Sequence, residues 1–289
     1  AYEIMPSLVG SEMCIRDRLN SLIVVSIVVI SFSFSQSRAF VTFDYMKVEP
    51  ANVDEYLNLE GEVWKPVHKE FLNRGMEVSW SLYMVRGAGT QNHYNYVTVS
   101  VYDGLESLDN DQSSFNEIIS KVYSNEELEG FWNRTSEARS HNGQDIFFVY
   151  DQALKGNNKE LSAFSSGKIG QDITVTFMQT LEGQDAVGLE SKWWKPIHKE
   201  RIKRKVINSW EVLTKRFVAL GQTQLDHDYV TWENYTTFST IDDSYNSNTF
   251  TKAVEKAHPD VDFSEVNEAT VKSRNFLRSE IWELVDHIN

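Results

Sequence analysis

The chain has 289 residues, with 42 Asp and Glu against 28 Lys and Arg, a formal net charge of −14 at pH 7. A hydrophobic content of 41% and an aromatic content of 12% exclude wholesale disorder and leave room for two domains of ordinary size. The acidic balance argues against nucleic acid and anionic membrane as partners.

Residues 22–34 form an apolar run preceded by Arg16 and Arg18 and followed by the small residues Ser35 and Ser37. That pattern reads as a signal peptide and is too short for a comfortable membrane span. Cleavage is expected after Ser37, giving a leader over 1–37 and a periplasmic or secreted protein with no membrane anchor once cleaved. Within the leader, residues 1–18 resemble translated adapter sequence of the kind found in environmental assemblies, and they are set aside from fold reasoning. The single cysteine, Cys14, lies there too. The remaining chain therefore offers no disulfide, no cysteine-ligated zinc and no thiol nucleophile.

A half-buried strand is predicted over 40–48, where Val41, Phe43 and Tyr45 alternate with Thr42, Asp44 and Met46. A helix starts near Asn52 and runs toward Gly75, with Pro66 expected to kink or restart it. Two strands follow near 76–86 and 94–103, then a polar helical region over 105–141, then a strand over 145–150. Residues 151–170, rich in Gly, Ser and Asn, read as a linker.

Beyond the linker the plan is written again. Trp64-Lys65-Pro66-Val67-His68-Lys69-Glu70 returns as Trp194-Lys195-Pro196-Ile197-His198-Lys199-Glu200, and Ser79-Trp80 returns as Ser209-Trp210 at the same distance. Such a recurrence marks a duplication. The second copy predicts a strand over 172–180, a helix over 185–205, strands near 207–218 and 228–238, a helical region over 241–274 and a strand over 280–285. Arg139 and Arg274 keep the same distance from the closing strands of their copies. The domains are thus a repeat over 38–150, the linker, and a repeat over 171–289, each of βαββαβ, ferredoxin-like order.

Each four-stranded sheet carries helices on one face only. The two copies are expected to dock sheet to sheet as an intramolecular α+β barrel, the whole chain being a monomer or a dimer. This order and duplication resemble the dimeric α+β barrel superfamily, which includes antibiotic-biosynthesis-type monooxygenases and, with both halves fused, chlorite-dismutase-like haem proteins. The chain is also similar to secreted proteins of marine Bacteroidota, a resemblance that implies an address and no activity. The superfamily hosts many chemistries, so the resemblance implies fold more than function.

Chemistry is looked for first on the repeated helices, where Glu60, Trp64 and His68, and again Glu190, Trp194 and His198, make one stripe. Packing of these rings on the sheet is one reading. The other makes His68 and His198 a base in a cavity between helix and sheet, closed by Trp80 and Trp210. In the resembling haem proteins a helical histidine of the second half is an axial ligand, so haem is the one cofactor the resemblance implies; the residues themselves call for none. No metal-ligand spacing, phosphate loop or serine elbow occurs. The alternate faces of the strands, with Thr42, Asp44, Thr98, Ser100 and Tyr102 matched by Thr174, Thr176, Thr231, Glu233 and Tyr235, are expected to line the barrel. Arg201, Lys203, Arg204 and Lys205 read as a solvated helix end or, alternatively, as a contact for an anionic ligand. Three functions compete: a protein binding a small aromatic or apolar molecule through Trp64, Trp80, Trp194, Trp210, Asp44, Tyr102, Glu233 and Tyr235; a cofactor-independent oxygenase, isomerase or haem enzyme; and a structural module.

Overall fold

The alternation read over 40–48 does form a strand, β1 (Phe40–Val48). In the computed structural model, which describes residues 39–89, 91–155, 167–220, 227–235, 238–241 and 248–289, the chain continues through α1 (Val53–Asn58), a π-helical turn (Leu59–Trp64) and α2 (Lys65–Asn73). Then come β2 (Ser79–Val85), β3 (Tyr96–Tyr102), α3 (Leu105–Val122), α4 (Asn125–Ala138) and β4 (Arg139–Leu154). The second half repeats the order: β5 (Asp172–Thr180), α5 (Ala186–Leu189), a π-helical turn (Glu190–Trp194), α6 (Lys195–Lys203), β6 (Ile207–Leu220), β7 (Tyr229–Tyr235), α7 (Asn248–Ala257), α8 (Phe263–Ser273) and β8 (Arg274–Ile288). The expected leader and the middle of the expected linker lie outside the described residues. β4 runs on to Leu154, past the strand end expected at Tyr150.

Pro66 and Pro196 restart their helices, as expected of a proline within a helical stretch. Each sits at the start of its α-helix directly after a π-helical turn, and the residue before it, Lys65 or Lys195, donates its N–H five residues back to Glu60 or Glu190. The wide turn comes immediately before the position where proline removes a donor and crowds the preceding carbonyl. Both α2 and α6 end at a residue of positive φ, Gly75 at 69° and Lys205 at 62°. Glycine adopts that conformation without strain; lysine adopts it at some cost.

The eight strands close into one antiparallel barrel in the order β1-β3-β2-β8-β5-β7-β6-β4. Each half contributes a ferredoxin-like sheet. The two seams, β2 with β8 and β6 with β4, are related by the duplication. The sheets thus face one another across the interior and also meet edge to edge, so no edge strand is left open.

The centre of the interior is apolar. Val41, Phe43, Tyr45, Val97, Val99 and Val101 point into it, with Trp232 and Trp282 at its centre and Phe43 within 5.9 Å and 5.3 Å of their rings. The opposite strand faces carry Thr42, Ser100 and Trp80 and lie under the helices. This reverses the expected facing: Thr42, Asp44, Thr98, Ser100 and Tyr102, with Glu233 and Tyr235, do not line the barrel. The alternation specifies two faces without saying which is enclosed. The closed barrel takes the purer apolar set, and the helix layer, open to water at its edges, takes the mixed one.

Candidate functional site

In the first half, α2 lays the ring of His68 over the β2 side chain Trp80, centroids 5.0 Å apart and planes at 22°. The Nδ1 atom of His68 is 3.0 Å from both carboxylate oxygens of Glu77. Glu77 belongs to the loop between α2 and β2 and is 1% exposed at its side chain, whereas His68 keeps 25%. The Tyr102 hydroxyl stands 3.5 Å from the same carboxylate. Tyr102 packs with Leu108 and Ile146, and these two line a cavity of about 440 Å³ with Leu105, Phe217, Glu106 and Asp109. Nearby on the same strand faces, the Thr42 hydroxyl and the Trp80 indole N–H are buried without a protein hydrogen bond. A buried carboxylate on Nδ1 fixes the orientation of a histidine ring. His68 is thus held in one orientation over Trp80 by a buried carboxylate on Nδ1.

The second half repeats the stack and changes its surroundings. His198 lies over Trp210, 4.9 Å away at 14°, and is only 2% exposed. Arg201, wholly buried, donates through Nη1 to His198 Nδ1 at 2.8 Å and to Glu233 Oε2 at 3.1 Å, and through Nη2 to the Tyr235 hydroxyl at 3.1 Å. Tyr235 in turn donates to Glu233. Burial, reinforced by the Arg201 charge and only partly opposed by Glu233, pushes the His198 imidazole down to about 3. His198 is a neutral, enclosed hydrogen-bond acceptor. Arg201, expected at a solvated helix end, is instead the centre of this network; Lys203 is an exposed partner of Glu200, and Arg204 donates to the Lys252 carbonyl.

The remaining expected site residues are placed apart from either histidine's polar partners. Trp64 and Trp194 turn toward the outer helices, where their indole N–H groups donate to Thr135 at 3.0 Å and Thr270 at 2.9 Å. They brace helix on helix. Asp44 pairs with His141 at 2.9 Å and accepts from Gln144 at 2.9 Å, away from both histidines' partners. Glu60 and Glu190 are buried beside Arg139 and Arg274, and burial raises the Glu60 carboxyl although Arg139 and His68 oppose it.

Haem does not fit at His198. An axial ligand needs a ring nitrogen directed at open space wide enough for a macrocycle. Here Nδ1 is held by Arg201, Nε2 lies 3.8 Å from Glu233, and Trp210 covers one ring face. Among the described residues no group of three His, Cys, Asp or Glu could hold a metal ion. No described helix is long and apolar enough to cross a membrane.

No family model matches the sequence, and no curated protein matches it. Solved structures do match the backbone. A candidate monooxygenase of Fusobacterium nucleatum aligns over 89% of this chain and 96% of its own at a TM-score of 0.52 and 9% identity. An anthrone oxidase-like protein aligns over 88% and 94% at 0.48 and 11%. A chlorite dismutase variant of Candidatus Nitrospira defluvii aligns over 87% and 92% at 0.48 and 12%. At such identities the likeness speaks for fold alone. The chain has the dimeric α+β barrel fold, with both halves carried in one polypeptide.

Proposed function

We propose that this is an exported protein that binds a small apolar or aromatic molecule between helix and sheet in its first half, with His68 and Glu77 engaging a polar group on that molecule. The observation that carries the reading is the difference between the two copies of one stack. His68 is partly open, backed by a buried carboxylate and followed through Tyr102 to a mainly apolar cavity with Glu106 and Asp109 in its lining; His198 is sealed by Arg201. Concave, mainly apolar space with a few convergent polar groups is the usual form of a small-molecule site. The barrel interior is packed with aromatic rings and is a poorer host. A histidine oriented by a carboxylate also has the form of a general base, so proton abstraction from an acidic C–H or O–H of the bound molecule is the second reading. Residues 22–34 support export.

The test is mass spectrometry of small molecules co-purifying with the wild-type protein and with the His68→Gln and His198→Gln variants. A molecule retained by wild type and His198→Gln and lost from His68→Gln supports the site. Equal retention by all three, or loss from His198→Gln alone, refutes it.

A further inference from the structure

The barrel interior is apolar at its centre and polar at both ends, and the two ends differ. At one end every charge has an answer within the protein. The Tyr45 hydroxyl donates to Asp145 at 3.0 Å, and Lys215 and His227 lie 2.9 Å and 3.0 Å from the same carboxylate. Burial alone would push the Asp145 carboxyl up, but His227 and Lys215 outweigh it and hold the group below its ordinary value. The duplicated partners Tyr94 and Glu280 are bonded at 2.8 Å, with Arg278 beside Glu280 at 3.1 Å.

The other end is unanswered. β2 and β6 begin there, β4 and β8 finish there, and the strand register puts Gln152 beside Glu211 and Ser81 beside His287. The duplication pairs these positions: Ser79 with Ser209, Ser81 with Glu211, Gln152 with His287. Glu211 is 0% exposed, and neither of its carboxyl oxygens makes a hydrogen bond among the described residues. The Ser209 hydroxyl softens its burial without completing one. The hydroxyls of Ser79 and Ser209 and the amide oxygen of Gln152 are equally buried and without hydrogen bonds. Glu211 pairs in register with Trp232, whose ring is 5.4 Å from Tyr83, and the Tyr83 hydroxyl feels both Ser81 and Glu211.

We infer that this end of the barrel is a binding site for a small monovalent cation, potassium or an ammonium ion, held by Glu211. The donor set gives the class. Carboxyl, amide and hydroxyl oxygens are hard ligands, which suit alkali and ammonium ions over soft metals. A single carboxylate balances one charge and leaves a divalent ion undercompensated. Trp232, in register with Glu211, and Tyr83 beside it make the surroundings aromatic, which suits a weakly hydrated monovalent ion better than a strongly hydrated divalent one. Burial without a partner holds the Glu211 carboxyl well above its ordinary value, so cation entry displaces the carboxyl proton. The site is independent of His68 and of the reading above.

The experiment is thermal unfolding of the full chain at pH 7.5 in the chlorides of potassium, ammonium, sodium and N-methylglucamine at equal ionic strength, with proton release followed in weak buffer. Potassium or ammonium should raise Tm by several degrees over N-methylglucamine, because a ligand at one hundred times its Kd raises the folding constant about 100-fold. Addition should release protons. In Glu211→Gln both effects should vanish while His68→Gln keeps them; if Glu211→Gln fails to fold, Ser209→Ala should raise the half-saturating concentration several-fold. A response specific to potassium selects the alkali ion, and one specific to ammonium the nitrogen cation. Identical Tm values in all four salts, or an undiminished response in Glu211→Gln, overturns the proposal.

Discussion

Replacing Arg201 by phenylalanine, the residue at the matching first-half position Phe71, tests the account of the second half most directly. Arg201 is 0% exposed and donates to His198, Glu233 and Tyr235. Removing it leaves the Glu233 carboxylate, 4% exposed, without its cation. Breaking one partner of a buried pair costs about 3–5 kcal/mol. For a chain of this size each kcal/mol lowers Tm by roughly 2–4 °C, so Arg201→Phe should lower Tm by about 6–20 °C. Glu233→Ser, which restores the residue found at Ser100, should destabilise as well, because buried Arg201 then loses the carboxylate it donates to. The double variant carries the first half's apolar–hydroxyl pair and should recover most of the loss, with a coupling energy of about 2 kcal/mol or more in a double-mutant cycle. Urea titration followed by far-ultraviolet circular dichroism gives the three differences at constant slope. An Arg201→Phe loss below about 1 kcal/mol, or additive single variants, would refute the view that this network seals the second half.

Two further outcomes follow from the same geometry. His198 is neutral in the folded protein down to about 3 and takes a proton near its ordinary value of 6.5 when unfolded. Its contribution is therefore intact above about 6.5 and is lost as pH falls toward 3, at up to about 1.4 kcal/mol per pH unit. His198→Gln should flatten that part of the stability profile, and an unchanged slope between pH 6 and 4 by urea titration would count against it. Trp64→Ala should cost about 3–5 kcal/mol, since the ring is 7% exposed and bonded to Thr135. Trp194→Ala should cost less, because its ring is only partly buried; a larger loss at Trp194 would reverse the assignment.

The duplication was legible because it recurs in sequence as well as in space, and with it came the element order and the barrel. Arg139 and Arg274, noticed only as residues in register, turn out to face Glu60 and Glu190 of the repeated helices. Glu77 was not legible: it lies in a loop, and its second-half counterpart is Ile207, so no repetition marks it. Arg201 was read as a helix-end charge because it opens a basic run; which of four neighbouring cations turns inward depends on the rotation of α6 against β7. Alternation in β1 and β3 revealed two faces. Enclosure by the barrel, a property of eight strands together, decided which face is dry.

Among the described residues four buried carboxyls break the duplication; Asp172, where the first half has Phe40, is paired with Arg86, and the other three differ in how they are answered. Glu77 stands where the second half has Ile207, Glu211 where the first half has Ser81, and Glu233 where it has Ser100. Each matching position shows that the fold accepts a neutral side chain there, so packing alone gives no reason for the acid. A buried carboxyl without a partner lowers stability. Glu77 is answered by His68 and Glu233 by Arg201, one partly open to solvent and the other sealed. That contrast is the ground on which the proposed ligand site in the first half rests. Among the described residues neither carboxyl oxygen of Glu211 has a hydrogen-bond partner. Held neutral, it must lose stability as pH rises above the ordinary carboxyl range, because the unfolded chain then ionises while the folded one does not. A cation drawn from solution removes that loss, and it is the one remedy that requires no further change in the duplicated scaffold.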